Sequence, residues 1–202
     1  MTSRKLPDEA RRNERSRQAI LTAARTLTLD LGYPRLTIEG IAAAAGVGKQ
    51  TIYRWWPSKG AIVFEAFLAM SADPEGKVEL PDTGELEADL KAVLRGSVAE
   101  LLDPRFDAAF RALASEIQSD LQLADSLVQS LLGPQIQATV RRLRSAQQAR
   151  QIASGIDLQV ATELLYGPVF HRWLLRTAPL DEAFADKVVA LTLRALRPTR
   201  AR

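Results

Sequence analysis

Two lysines, Lys49 and Lys59, bracket the aromatic residues of one short stretch, AGVGKQTIYRWWPSKG, residues 45–60. A lysine beside glycines suits phosphate, either that of a bound nucleotide or that of a nucleic-acid backbone. The nucleotide loop needs a glycine five places before Gly48 and a hydroxyl directly after Lys49. Those positions hold Ala43 and Gln50, and the strand that should precede the loop is the helix-forming run IAAAA. All three requirements fail, so a nucleotide-dependent enzyme is rejected and the backbone of a nucleic acid remains.

The elements around this stretch must then present it to a polyanion. Net charge is +3 overall, but residues 1–60 carry 11 Lys/Arg against 5 Asp/Glu, and the remainder is acidic by three. Six of those eleven cations fall in the first seventeen residues, which reads as a basic flexible arm over residues 1–12. There is no cysteine, and His171 is the only histidine. Disulfides, thiolate metal sites and cysteine nucleophiles are thereby excluded, and a Ser-His-Asp triad would rest on one residue that reads as a surface or interface histidine. No apolar run approaches the roughly 18 residues of a membrane span, and the N-terminus lacks the apolar block of a signal peptide. The expectation is a cytoplasmic protein with no membrane partner, no catalytic residue, no metal and no cofactor.

Periodicity predicts an all-α fold of about nine helices. Asn13 is placed to cap a first helix with Ile20, Ala24, Leu27 and Leu31 inward, stopped by Gly32 and Pro34. Thr37 caps a second over residues 38–45, with Ile41 and Ala45 inward. After the corner Gly46-Val47-Gly48 a third runs to about Trp56, with Ile52 and Trp56 on its buried side. Ser58 caps a fourth. The Asp-, Pro- and Gly-rich residues 71–84 are the clearest loop. Beyond it come a stripe of Leu86, Leu90, Val93, Val98 and Leu101, and a helix opened by Asp103-Pro104. A long segment over 120–151 should kink or break at Gly133-Pro134. Asp157 and Asp181 cap the last two helices.

Helices two and three on a tight glycine turn make a helix-turn-helix, whose second helix enters the major groove of double-stranded DNA. Lys49 suits a guanine edge or a phosphate, Gln50 an adenine, and Thr51 a base or a thymine methyl. Tyr53, Arg54 and Trp55 are suited to backbone oxygens, and Lys59, at the start of the fourth helix, to a phosphate clamp. With Thr37 and Gly48 at the two helix starts, these residues form the candidate DNA face.

The stretch from Ala19 to Phe67 resembles the DNA-binding domain of the TetR/AcrR family of transcriptional repressors. It carries a first helix ending in Gly-aromatic, a threonine opening the second helix, IA..AGV, T-aliphatic-Y, an aromatic pair and PSK. Two positions depart from the pattern: Gly48 where serine is common, and Gly40 where a larger residue is usual. The resemblance implies a DNA-binding domain over residues 13–60 and a ligand-binding and dimerisation domain over 61–202. TELLYGPVFHRWLL, residues 162–175, is similar to the penultimate helix of one C-terminal subclass, which implies a homodimer through the last two helices. It further implies a repressor released from a palindromic operator by a small molecule, with an activator or an effector-independent interaction module as the alternative. The effector is expected to be hydrophobic or amphipathic. Phe67, Phe106, Phe110, Leu113, Glu116, Tyr166, Phe170 and Trp173 are its candidate contacts, and ordinary core packing explains the same set equally well.

Overall fold

The computed structural model describes residues 6–71 and 79–198, without the side chains of 6–10, 67–71 and 105. Among the described residues the regular structure is all helical, with no strand: α1 (Leu6–Leu31), α2 (Ile38–Ala45), α3 (Lys49–Tyr53), α4 (Lys59–Ser71), α5 (Leu86–Leu102), α6 (Pro104–Glu116), α7 (Leu121–Leu127), α8 (Gly133–Gln148), α9 (Leu158–Leu175) and α10 (Glu182–Ala195). This is the all-α architecture expected, and the tenth helix arises because the long segment breaks where Gly133-Pro134 stands. Backbone contacts group into two compact units, one of residues 1–72 with 108–127, the other of 73–107 with 128–202.

In the first unit α1 packs on α2 and α4, α2 on α3, and α4 on α7. α1 buries Ile20, Leu21, Ala23, Ala24 and Thr28, while Leu27 is half-buried and Leu31, expected inward, is 40% exposed. Its start also corrects the sequence reading. The helix runs back through Asn13 to Leu6, so Asn13 is no cap and residues 6–12 are helical rather than a flexible arm. Pro7 stands in the first turn, where its missing N–H breaks no helical bond, and nothing between it and Gly32 interrupts the helix.

The helix-turn-helix is fixed by local chemistry. The Thr37 hydroxyl accepts from the Gly40 N–H at 3.0 Å, capping α2. Gly46, left-handed at φ 67°, ends it, with the Val47 N–H bonded to the Ala42 carbonyl and the Gly46 N–H to that of Ala43. That is the Schellman closure, which favours glycine. α3 ends at Tyr53, three residues earlier than expected, although Trp55 and Trp56 still donate their N–H groups to the Ile52 carbonyl in a closing turn. Ile41, Ile52 and Trp56 are buried as expected; Ala45 is only half-buried.

In the second unit α5 packs on α9 and α10, and α9 on α8 and α10. α5 buries Leu86, Leu90, Leu94, Val98 and Leu101, so Leu94 takes the inward place expected of Val93. A π-helical turn, Val128–Leu132, precedes α8. It allows the wider i+5 closure beside Pro134, which has no N–H to donate. A Cβ at Gly133 would stand 2.7 Å from the Val128 carbonyl oxygen, so glycine is what this turn admits. Asp157 caps α9 and Asp181 caps α10 through their carboxylates.

Candidate nucleic-acid interface

Side chains on α3 alternate between anchoring and display. Ile52 and the following Trp56 are buried, and the Trp56 indole N–H donates to Glu65 Oε2 on α4 at 2.7 Å. Glu65 is paired in turn with Arg17 of α1. This internal chain ties the end of α3 to its two supports, leaving Lys49, Gln50, Tyr53 and Arg54 exposed and Thr51 and Trp55 half-buried. Tyr53 keeps 55% of its surface open. Gly48 caps α3 with extended backbone (φ −80°, ψ 149°) and supplies no side-chain cap.

Lys49 is not a solitary cation. Its Nζ lies 2.6 Å from Glu39 Oε1 on α2, both side chains more than half exposed. The hydrogen bond and charge of Lys49 hold the Glu39 carboxyl below its ordinary range, and Glu39 raises Lys49 reciprocally. Glu39 stands in the first turn of α2. Arg54 stacks its guanidinium 4.9 Å over the Trp55 ring and donates to Asn13 Oδ1 on α1 at 3.3 Å. Trp55 meets Trp56 edge-on at 5.5 Å. Trp55 therefore supports Arg54 as a stacking platform beside any contact of its own.

Lys59 is turned inward. Its Nζ donates to the carbonyls of Tyr33 and Leu36, both at 3.3 Å, and lies 4.2 Å over the Tyr33 ring. Those carbonyls belong to the turn between α1 and α2, so the lysine fastens the entrance to the helix-turn-helix. Burial, together with the neighbouring Glu116 carboxylate, pushes the Tyr33 phenol up, and it stays protonated. The adjacent Gly60 is buried in the same corner: a Cβ there would meet Leu123 Cδ2 at 2.9 Å, with Glu116 Cγ and Tyr33 Oη at 3.4 Å.

The effector candidates divide between the two units. In the first, Phe110 and Leu113 are buried, Glu116 lies in the Gly60 corner, and the side chain of Phe67 is outside the described residues. In the second, the Trp173 indole donates to Asp107 Oδ1 at 2.7 Å and meets Phe170 edge-on at 6.1 Å. Tyr166 is held in a closed ring. Gln135 Nε2 donates to its phenol at 3.0 Å, the phenol lies 3.1 Å from Thr139 Oγ1, and Thr139 donates to the Gln135 carbonyl. Because the single Thr139 proton is committed, the phenol must donate to Thr139, and both its roles are used within the protein. Phe106 and Phe170 are only half-buried.

A second exposed feature runs along α9. Val160, Leu164, Leu174 and Leu175 are each about half exposed, from 47% to 59%. Gly167, Pro168 and His171 lie between them at helical spacing on the same open face. Leu191 on α10 is 63% exposed.

Comparison with known proteins agrees with this architecture. Residues 20–66 match the family model described as bacterial regulatory proteins, tetR family, and residues 80–192 match the tetracyclin repressor-like C-terminal domain. The uncharacterized HTH-type transcriptional regulator YdeS of Bacillus subtilis is 28% identical over 190 residues, 94% of each chain. The DNA-binding transcriptional repressor TetR of Mycobacteroides abscessus is 29% identical over 88% of this chain and 92% of its own. Among solved structures, the TetR family transcription regulator SCO0332 superposes with a TM-score of 0.70 at 33% identity, covering 91% of this chain and 99% of that one. With α3 displayed on a capped helix-turn-helix and both domain models matched, the chain belongs to the TetR family of DNA-binding transcriptional regulators.

Proposed function

We propose that this regulator is a homodimeric repressor that leaves a palindromic operator when a small hydrophobic or amphipathic molecule binds. The observation that carries the reading is the pairing of one displayed helix with one unpartnered apolar face. α3 offers Lys49, Gln50, Thr51 and Tyr53 to base edges and Arg54 to the backbone, a set that serves half of a site. The α9 face is too apolar to be left in water, and a second copy would cover it symmetrically. Two reading helices would then fall about one DNA turn apart, roughly 34–36 Å or a multiple. Half-buried Phe106 and Phe170 in the second unit are the contacts proposed for the effector, whose action is limited by its differential affinity for the two states. Such a protein works in the cytoplasm, beside the chromosome.

Selection from random duplexes, followed by a salt titration on the selected site, tests this reading. The expected result is an inverted repeat with a steep negative slope of log affinity against log salt, since several phosphates are neutralised. Compounds are then screened for release of the bound duplex. A flat slope, or a selected site without two-fold symmetry, counts against the proposal. Arg54→Ala should weaken all duplexes alike, whereas Gln50→Ala and Lys49→Ala should change base preference.

A further inference from the structure

The Lys49–Glu39 pair is a puzzle on a surface that meets a polyanion. An exposed ion pair contributes little to folding, and a carboxylate facing DNA subtracts from the attraction that Lys49 would otherwise supply. Both side chains are more than half exposed, and the 2.6 Å bond spans the corner from the first turn of α2 to the first residue of α3. The bond fixes a long flexible lysine in one direction. It also sets a carboxylate beside the amine, one residue before exposed Gln50.

The chemistry left over is specific. Lys49 carries three N–H donors, of which the bond to Glu39 takes one, and a carboxylate has four lone-pair sites, so it keeps acceptor capacity beside that bond. The two remaining donors next to an acceptor match the order of groups of a G·C pair in the major groove: guanine N7 and O6 side by side as acceptors, then the cytosine N4 donor. An A·T pair sets its one donor, adenine N6, between the acceptors adenine N7 and thymine O4, so two adjacent lysine donors followed by a carboxylate do not match its order.

We propose that Glu39 is a specificity-determining residue, reading the cytosine N4 of a G·C pair whose guanine edge is taken by Lys49. This rests on α3 being the reading helix. It adds to that assignment a contact from α2, and it turns an apparent charge penalty into selectivity.

The test is selection from random duplexes and competition binding with the full-length wild type, Glu39→Ala and Glu39→Gln. Wild type should select a fixed G·C pair in each half-site. Glu39→Ala should lose roughly tenfold of the discrimination at that pair. It should also bind non-specific duplex more tightly, with a salt slope steeper by about one phosphate equivalent. Glu39→Gln, which keeps the shape and one acceptor oxygen, should retain the preference while gaining the same non-specific affinity. Retention of the full G·C preference in Glu39→Ala overturns the proposal, as does a uniform loss of affinity for every duplex in both variants, which marks a structural role. If wild type selects no sequence at all, the assignment of the reading helix falls first and this proposal with it. Wild-type selectivity that is unchanged in Glu39→Ala sinks this proposal alone.

Discussion

Arg142 of α8 and Asp89 of α5 form a buried ion pair in the second unit, with both Nε and Nη2 of the arginine donating to Asp89 Oδ2, at 3.0 and 2.8 Å. The side chains are 2% and 3% exposed. Thr83 completes the carboxylate, its hydroxyl donating to Oδ1 at 2.7 Å and its N–H to Oδ2 at 3.1 Å, and the Pro81 carbonyl accepts from Arg142 Nε. The pair thus pins the segment entering α5 onto α8. Removing the arginine leaves a buried carboxylate without its cation, so Arg142→Ala should cost about 3–5 kcal/mol, and Asp89→Ala should cost less, because half-exposed Asp82 stays 3.4 Å from Arg142 Nε. Urea denaturation followed by circular dichroism measures this, and a loss below about 1 kcal/mol in Arg142→Ala would contradict it.

Acid should find the same carboxylate. Burial alone would raise Asp89, but the hydrogen bonds from Thr83 and Arg142 outweigh it and hold the carboxyl below its ordinary range. A depressed folded-state value stabilises the protein fully above the unfolded value, about 3.9, and that contribution fades as pH falls towards the folded value. Melting temperature should therefore drop more steeply below about pH 4 in wild type than in Asp89→Asn, which has lost the titrating group. Parallel acid limbs would remove Asp89 from the account.

Gly48 is the weak point of α3, and a conservative change should strengthen it. Its backbone already has the extended geometry of an N-cap, and a Cβ there would meet nothing within 4 Å. Serine can then supply the missing cap oxygen to α3, for a gain of a few tenths of a kcal/mol over glycine. Gly48→Ser should also tighten DNA binding uniformly, because a hydroxyl at the start of α3 suits a phosphate oxygen. Fluorescence anisotropy with specific and random duplexes would show it. Weaker binding to both would mean that the duplex approaches too closely for any side chain here.

Gly60 has the opposite environment. A Cβ would press on buried Leu123 and leave only tight distances to Glu116 and Tyr33. Overpacking of this kind costs about 1–3 kcal/mol, and the gain in helix propensity from glycine to alanine, at most about 1 kcal/mol, does not cover it. Gly60→Ala should lower the stability of the first unit by about 1–2 kcal/mol, seen as a shift in the unfolding of Trp55 and Trp56 fluorescence. An increase in stability would show that Leu123 yields freely.

How much of this was legible in the sequence depends on the range of the interaction. Caps and stops act over three or four residues, so Thr37, Asp157 and Asp181 announced their helices and Gly46 announced a stop. Trp56 was legible as core because it follows Ile52 by one helical turn. Partners set by tertiary packing were not: Glu39 with Lys49 across the corner, Asp89 with Arg142 from 53 residues away, and the Lys59 amine on the Tyr33 and Leu36 carbonyls. The start of α1 was missed for a different reason. A run of arginines reads as a solvated tail by composition, whereas the helix continues through it because neither a breaker nor a competing cap intervenes.

The α9 face provides the sharpest separation of assembly from folding. Leu164 and Leu175 are 47% and 59% exposed in the single chain, so replacing them with charge should change the stability of that chain by no more than about 0.5 kcal/mol. In a dimer the same residues would be buried against their copies, and an unpaired carboxylate there is costly. Leu164→Asp with Leu175→Glu should therefore convert the protein to a monomer in sedimentation velocity while its helical content is retained. Affinity for the full inverted repeat should fall towards that for a single half-site, because the second reading helix is no longer held at high effective concentration. A doubly charged variant that sediments as wild type would place the dimer interface elsewhere and leave Val160, Leu164, Leu174 and Leu175 of α9 for another partner to cover.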